Sequence, residues 1–249
     1  MKRIYLFLLI TFALISCYDV DSLVNSIAKA NIVTCESVGF AGSPSGVYKD
    51  FERLKRKATK EELIGLTHHD SVAVAVYAAY ALIDRELIDS DKLLEQFLDN
   101  PKEVSTMCGC LLSSSTTPSE IYHRYWSERF EFPNEEDYEN RVFNDSKILQ
   151  RMDSLILFSG NNDWLLMTRA LENREYSGVY LERIKELAFD ENEFVALKYV
   201  FKNLKEGNED KLITAFDIYL TNELTHVDEM FGPKGEIKEL RKQLVNSLK

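Results

Sequence analysis

The stretch LTHHDSVAVAVYAAYALIDRE, from Leu66 to Glu86, opens with His68, His69 and Asp70, side chains that bind metals and move protons. A zinc site takes three or four ligands, at spacings such as H-x₃-H or C-x₂-C. Adjacent histidines diverge on a helix or in a turn, and His123 and His226 are distant in sequence. His69 and Asp70 directly precede a long apolar run, where polar side chains satisfy the free amides of a helix start. The triplet is expected to mark a turn between two packed helices, with no metal and no catalytic residue assigned to it. Cys108-Gly109-Cys110 lacks the two-residue spacer of thioredoxin-type motifs. On a helix, residues two apart point about 200° from each other. Register sets Cys108 against Ala78, an inward position, and Cys110 against Tyr80, at the margin. A disulfide between Cys35 and Cys110, with Cys108 a buried thiol, is expected; free thiols throughout are the alternative. The acidic runs Asn134 to Asp137 and Asp190 to Glu193 lack the D-x-D-x-D-G-x₅-E order of a calcium loop and read as solvated turns. Neither a glycine-rich phosphate loop nor G-x-S-x-G occurs, though catalytic triads assemble in space and not in sequence. No cofactor is expected. The segment EIYHRYWSERFEF gathers Tyr122, Tyr125, Trp126, Phe130 and Phe132 with two arginines. Aromatics and arginines anchor protein interfaces, and Tyr122, Tyr125 and Trp126 are the expected partner-binding residues; core packing is the other use of such side chains.

The elements that must position these residues begin after an unusual start. Lys2 and Arg3 precede an apolar run from Ile4 to Ile15 that only Thr11 interrupts. A membrane-spanning helix needs about 20 such residues, and the layout is that of a secretory signal peptide. Leu14-Ile15-Ser16-Cys17 resembles the lipobox of bacterial lipoproteins. The resemblance implies that residues 1–16 are removed, that the Cys17 thiol carries a diacylglyceryl group, and that its new amino terminus is acylated. Two or three acyl chains, at about 0.8 kcal/mol per buried methylene, anchor far more firmly than one.

Removing residues 1–16 takes away Lys2 and Arg3 and leaves 28 basic against 41 acidic residues, a charge of −13. Affinity for nucleic acid comes from Lys and Arg neutralising phosphates, so no nucleic-acid partner is expected, and no polybasic membrane patch. Anchoring falls to the lipid. A lipoprotein folds where disulfides persist.

Strand signals are scarce and helical spacing dominates. After a short helix from Asp21 to Ala30, Gly39 to Gly46 reads as a linker. Self-similarity follows. LIGLTHHDSVAVAVYAAYAL and LLEQFLDNPKEVSTMCGCLL place Val74 and Val104 thirty residues apart, each eight residues before a leucine. RIKELAFDENEFVALKYVFKNL sets Asp190 and Val195 as the second copy sets Asp99 and Val104. Thr59 and Glu62 have capping-box spacing, and Asn100-Pro101 breaks the first helix of the second copy. The pattern resembles the HEAT-like helical repeat, although Ala75, Ser105 and Ala196 stand where that repeat has arginine. From Ser113 to Tyr180 the repeat is lost, with helical stretches at Asp145 to Phe158 and Asp163 to Asn173. Two more helices, Lys211 to Leu220 and Gly235 to Leu248, close the chain.

Lipobox, an early Cys-Glu-Ser, Tyr-Lys-Asp-Phe, a HEAT-like hairpin and a later Gly-Cys together look like a group of HEAT-like lipoproteins of Bacteroidetes-type bacteria. The resemblance implies an address and a fold and brings no activity. The expected protein has a signal peptide (1–16), a lipidated segment and linker (17–47), and an all-α domain (48–249) built as a short HEAT-like α-solenoid of stacked helix hairpins with a diverged middle. It is expected at the bacterial envelope, on the outer membrane, as a non-enzymatic interaction or scaffold module with a protein partner. An inhibitor or immunity-type binder, or an enzyme with a site between repeats, are the other classes.

Overall fold

The computed structural model describes residues 19–129, 147–161, 163–172, 174–221 and 233–248. Cys17 and residues 1–16 lie outside them, as do Phe130, Phe132, His226 and the acidic run Asn134 to Asp137. The chain forms two compact units, Met1–Pro133 and Asn134–Lys249. It is mainly helical, but unit 1 also holds a four-stranded mixed sheet. The all-α expectation is corrected accordingly.

Unit 1 is arranged around one helix. Its elements are α1 (19–30), β1 (Val33–Val38), β2 (Ser43–Pro44), α2 (Gly46–Lys57), α3 (Lys60–Leu66), α4 (Val72–Asp84), α5 (Ser90–Asp99), β3 (Glu103–Gly109), β4 (Leu111–Thr116) and α6 (Thr117–Arg129). Every residue of α4 from Ala73 to Ile83 is buried. A helix apolar all round must be covered on every side, and α2, α3, α6, β1 and β3 all pack against it. Its alanines let those neighbours approach closely. The α3–α4 hairpin forms as the repeat pattern predicts, with the Thr59–Glu62 capping box in place. Ser71 caps α4 through its side-chain oxygen.

The second copy departs from the helical expectation. Helix α5 ends at Asp99, ahead of Pro101, but the chain then forms a β-hairpin where a small-residue helix was predicted. Val104, Thr106 and the run Ser113 to Thr116 favour this outcome. Ser and Thr side chains compete for backbone groups inside a helix, and branched residues suit a strand. Cys108 pairs with Leu111 across a two-residue turn of Gly109 and Cys110. Gly109 has φ +54°, at the first turn position, where a tight hairpin needs a left-handed residue and so glycine.

The sheet order is β2-β1-β3-β4, with β1 and β3 parallel and the two outer pairings antiparallel. Parallel strands need a long crossover, which α2 to α5 supply. The expected linker is therefore part of the folded unit: residues 39–42 turn the β1–β2 hairpin, and Ser45 caps α2 by accepting from the Tyr48 N–H at 3.1 Å. Helix α1 buries Val20, Leu23, Val24 and Ile27 as one stripe. It lies antiparallel to α2, with Asp19 paired to Lys57 and Ser26 donating to Asp50 at 2.6 Å.

The disulfide joins Cys35 to Cys108, not Cys35 to Cys110. Strand register, not helical register, decides this. Thr34 pairs with Met107 on the parallel strands, so the next residues, Cys35 and Cys108, are neighbours with Cα atoms 4.9 Å apart, well within disulfide reach. Cys108 is exposed, and Cys110 in the turn is the free, exposed thiol.

Unit 2 comprises α7 (Lys147–Phe158), α8 (Trp164–Leu171), α9 (Val179–Phe189), α10 (Phe194–Asn203), α11 (Glu209–Thr221) and α12 (Pro233–Ser247). The third copy is the α9–α10 hairpin, as expected. Its turn residue Glu193 caps α10 by accepting from the Ala196 N–H at 2.6 Å. Leu149, Met152, Leu166, Ile184, Leu187, Leu197, Val200, Phe216 and Leu244 form the core. Within it a buried ion pair joins Arg174 to Asp153 at 2.9 Å.

Closing a loop of 73 residues stabilises by about 4 kcal/mol in the chain-entropy model. Non-reducing peptide mapping is expected to recover the Cys35–Cys108 linkage and to find Cys110 alkylated without reduction. In urea melts Cys35→Ser is expected to cost about 2–4 kcal/mol, and Cys110→Ser less than about 0.5 kcal/mol.

Candidate functional site

His68 and His69 sit in the turn between α3 and α4, as expected of them. The His69 Nδ1 accepts from the Ser71 N–H at 2.9 Å, steadying the residue that caps α4. Among the described residues no group of three or more His, Cys, Asp or Glu could hold a metal ion. The aromatic segment divides. Tyr122 and Tyr125 are buried on α6, which removes both from any partner surface and corrects that expectation. Trp126 is half-buried beside His123. The physical reason is α4: its unbroken apolar surface needs large side chains to cover it, and α6 supplies them.

Burying α4 also buries three polar groups on it, and each must find a partner. The Tyr77 hydroxyl accepts from the Thr34 N–H at 2.7 Å and donates to the Thr34 carbonyl at 3.3 Å, fixing β1 to α4. The Tyr80 hydroxyl donates to Glu120 on α6 at 2.5 Å. Asp84 accepts two bonds from Arg124 of α6, at 2.8 and 2.6 Å, and one from Lys55 of α2 at 3.0 Å. Phe51 stacks on Tyr77, and the Arg124 guanidinium lies over the Tyr80 ring, 5.0 Å from its centre. Arg85 closes the end of α2 by donating to the carbonyls of Lys55 and Ala58. Burial, reinforced by the Glu120 carboxylate, holds the Tyr80 phenol well above its ordinary range. Burial also raises Tyr77, against the hydrogen bonds from Thr34. Burial alone would lower Lys55, but Glu52 and Asp84 override it and raise the ammonium. These groups hold elements together.

What this frame presents to solvent is a pair of hairpin tips. Because β1 and β3 run parallel and adjacent, the turns that follow them lie side by side. The Gly39 N–H donates to the Gly109 carbonyl at 2.7 Å and ties the two turns together, and the Cys35–Cys108 bridge links the strands beneath. Phe40 projects from the first tip, 99% exposed, and Leu111 and Leu112 from the second, at 75% and 71%. All three are exposed apolar side chains close to the tied turns, with Leu111 and Leu112 on opposite faces of β4. Strand β4 adds an outer edge whose backbone groups face away from β3. The far end of the α1–α2 pair carries Asp19 beside Lys57, while α2 begins next to the β1–β2 hairpin. Helix α2 has twelve residues, so its two ends lie roughly 18 Å apart.

Sequence reading missed this surface. Phe40 between glycines was visible, but exposure was not, and Leu111-Leu112 read as the end of a helix. No family model, no curated protein and no solved structure matches this chain. Among the described residues no helix is long and apolar enough to cross a membrane.

Removing the carboxylate shared by α2, α4 and α6 with Asp84→Ala is expected to cost about 3 kcal/mol in chemical denaturation. A phenol raised on folding keeps its proton in the native state while the unfolded chain ionises near pH 10.0. Its stability contribution is therefore lost as pH rises above that value. Tyr80→Phe is expected to show a shallower fall in melting temperature between pH 9 and 11 than the wild-type chain; an unchanged slope would remove Tyr80 from this role.

Proposed function

We propose that this protein is a lipid-anchored module of the bacterial envelope that binds a protein partner, with the paired hairpin tips of unit 1 as the docking surface. One observation carries the reading: exposed Phe40, Leu111 and Leu112 stand at the turns of two strands that the Cys35–Cys108 disulfide braces. A lipid on Cys17, two residues before Asp19, would hold the Asp19 end of α1 toward a bilayer and leave the tips facing outward. Such an arrangement suits a protein partner better than the membrane itself. Rigid, well-supported apolar side chains make efficient anchors because little freedom is lost when they are covered. In unit 2 we read the α7–α8 and α9–α10 hairpins as HEAT-like, stacked so that each covers its neighbour's apolar face. Helix hairpins of this kind offer surfaces more readily than clefts, which favours binding over catalysis, though fold alone does not fix function.

A photo-crosslinking residue placed at position 40 or 112 in the full chain is expected to capture the same protein from intact cells. The same residue at position 218, exposed on α11, is not expected to capture it. Phe40→Asp with Leu112→Asp is expected to weaken capture at least about tenfold without lowering the melting temperature, as loss of interface anchors does. Equal capture from position 218, or full capture by the double variant, would contradict the reading. Cys17→Ala is expected to move the protein out of the membrane fraction, and retention there would count against the lipid anchor.

A further inference from the structure

Unit 2 contains a cavity of about 570 Å³ between α8, α10 and α12, within the roughly 300–1,000 Å³ span of small-molecule sites. We propose that it binds a small organic acid, a single anionic group carried on an apolar body. Leu171, Val195 and Leu240 supply apolar wall from three different helices. Helix α10 turns Val195, Lys198, Tyr199 and Lys202 toward the cavity at positions i, i+3, i+4 and i+7, one face of the helix. Apolar and cationic side chains therefore alternate along the same wall.

The charges decide which ligand fits. Arg174 at the cavity is matched by Asp153, and Lys198 is matched by Glu236 across the gap between α10 and α12 at 2.7 Å. Lys202 is exposed and in no ion pair among the described residues. Lys205 likewise has no carboxylate partner there, its ammonium lying over the Phe201 ring at 5.9 Å. Glu172 is the remaining lining carboxylate. Two unmatched cations against one carboxylate leave the cavity one charge positive, in a chain whose net charge is −11. A monoanion neutralises that excess, and a cation or dianion does not. The apolar walls then cover the ligand's body, and its anionic group meets the two lysines, of which Lys202 is exposed and Lys205 half-buried. The cavity lies wholly within unit 2 and is independent of the hairpin tips.

The test is calorimetric titration of the full chain in lipid nanodiscs, blanked against empty nanodiscs, with 2-naphthoate as probe and uncharged 2-naphthamide as its neutral counterpart. Naphthoate is expected to saturate one site per chain and to bind about tenfold more tightly than the amide, the scale of two partly exposed charge contacts. Lys202→Glu with Lys205→Glu is expected to abolish that preference while the melting temperature holds. Lys202→Glu alone, at an exposed position, is expected to weaken naphthoate in the same direction. Absence of saturable heat, equal binding of acid and amide, or unaltered naphthoate binding by the double variant would each overturn the proposal.

Discussion

Unit 1 depends on the burial of α4. A helix with Val, Ala, Tyr and Leu on every face has no side to show to water, so its neighbours must surround it completely. The tyrosine and aspartate groups along it turn that general demand into specific ones. An unpaired hydroxyl or carboxylate in such a position costs about 1–3 kcal/mol, and more for the charge. Tyr77 is satisfied by the Thr34 backbone of β1, Tyr80 by Glu120 of α6, and Asp84 by Arg124 of α6 together with Lys55 of α2. Between them these three groups tie α4 to β1, α6 and α2. Hydrophobic burial supplies the driving force, and these few hydrogen bonds choose the arrangement.

The exposed tips follow from the same constraint. Once Thr34 is held by Tyr77, β1 runs in one direction along the covered side of the sheet, and β3 pairs beside it in parallel. Their turns then lie side by side, and Phe40, Leu111 and Leu112 stand exposed there. Open sheet edges and apolar tips are hazards that proteins ordinarily blunt with charge or proline. Here Leu111 and Leu112 stand at the start of the edge strand, and the disulfide and the Gly39–Gly109 bond stiffen what carries them.

Local chemistry was legible where it was locally determined. The capping box at Thr59 and Glu62, the alanine-rich run of α4, the break at Pro101 and the Glu193 turn all depend on residues a few positions apart. Residues 103 to 116 were not legible as strands, because Val104, Met107 and Leu112 fit helical spacing as well as a half-buried strand. Their pairing partner, β1, lies about 70 residues upstream, and no local pattern announces it. The disulfide followed the register error: on a helix Cys108 and Cys110 point apart, whereas on β3 Cys108 sits beside Cys35 and Cys110 occupies the turn. Tyr122 and Tyr125 failed as surface residues for another reason. Residue type says that an aromatic side chain will be covered, and not whether its own core or a partner covers it.

Amide hydrogen exchange on the full chain tests most directly the claim that a buried central helix organises unit 1 and holds two free tips in place. The account expects the amides of α4, with those of β1 and β3 that pair beneath the disulfide, to be the slowest in unit 1, exchanging only through global opening. The turn amides of Phe40, Ala41 and Cys110 are expected to exchange orders of magnitude faster. Protection of α4 no greater than that of the tips, or tips as protected as the strands beneath them, would contradict it.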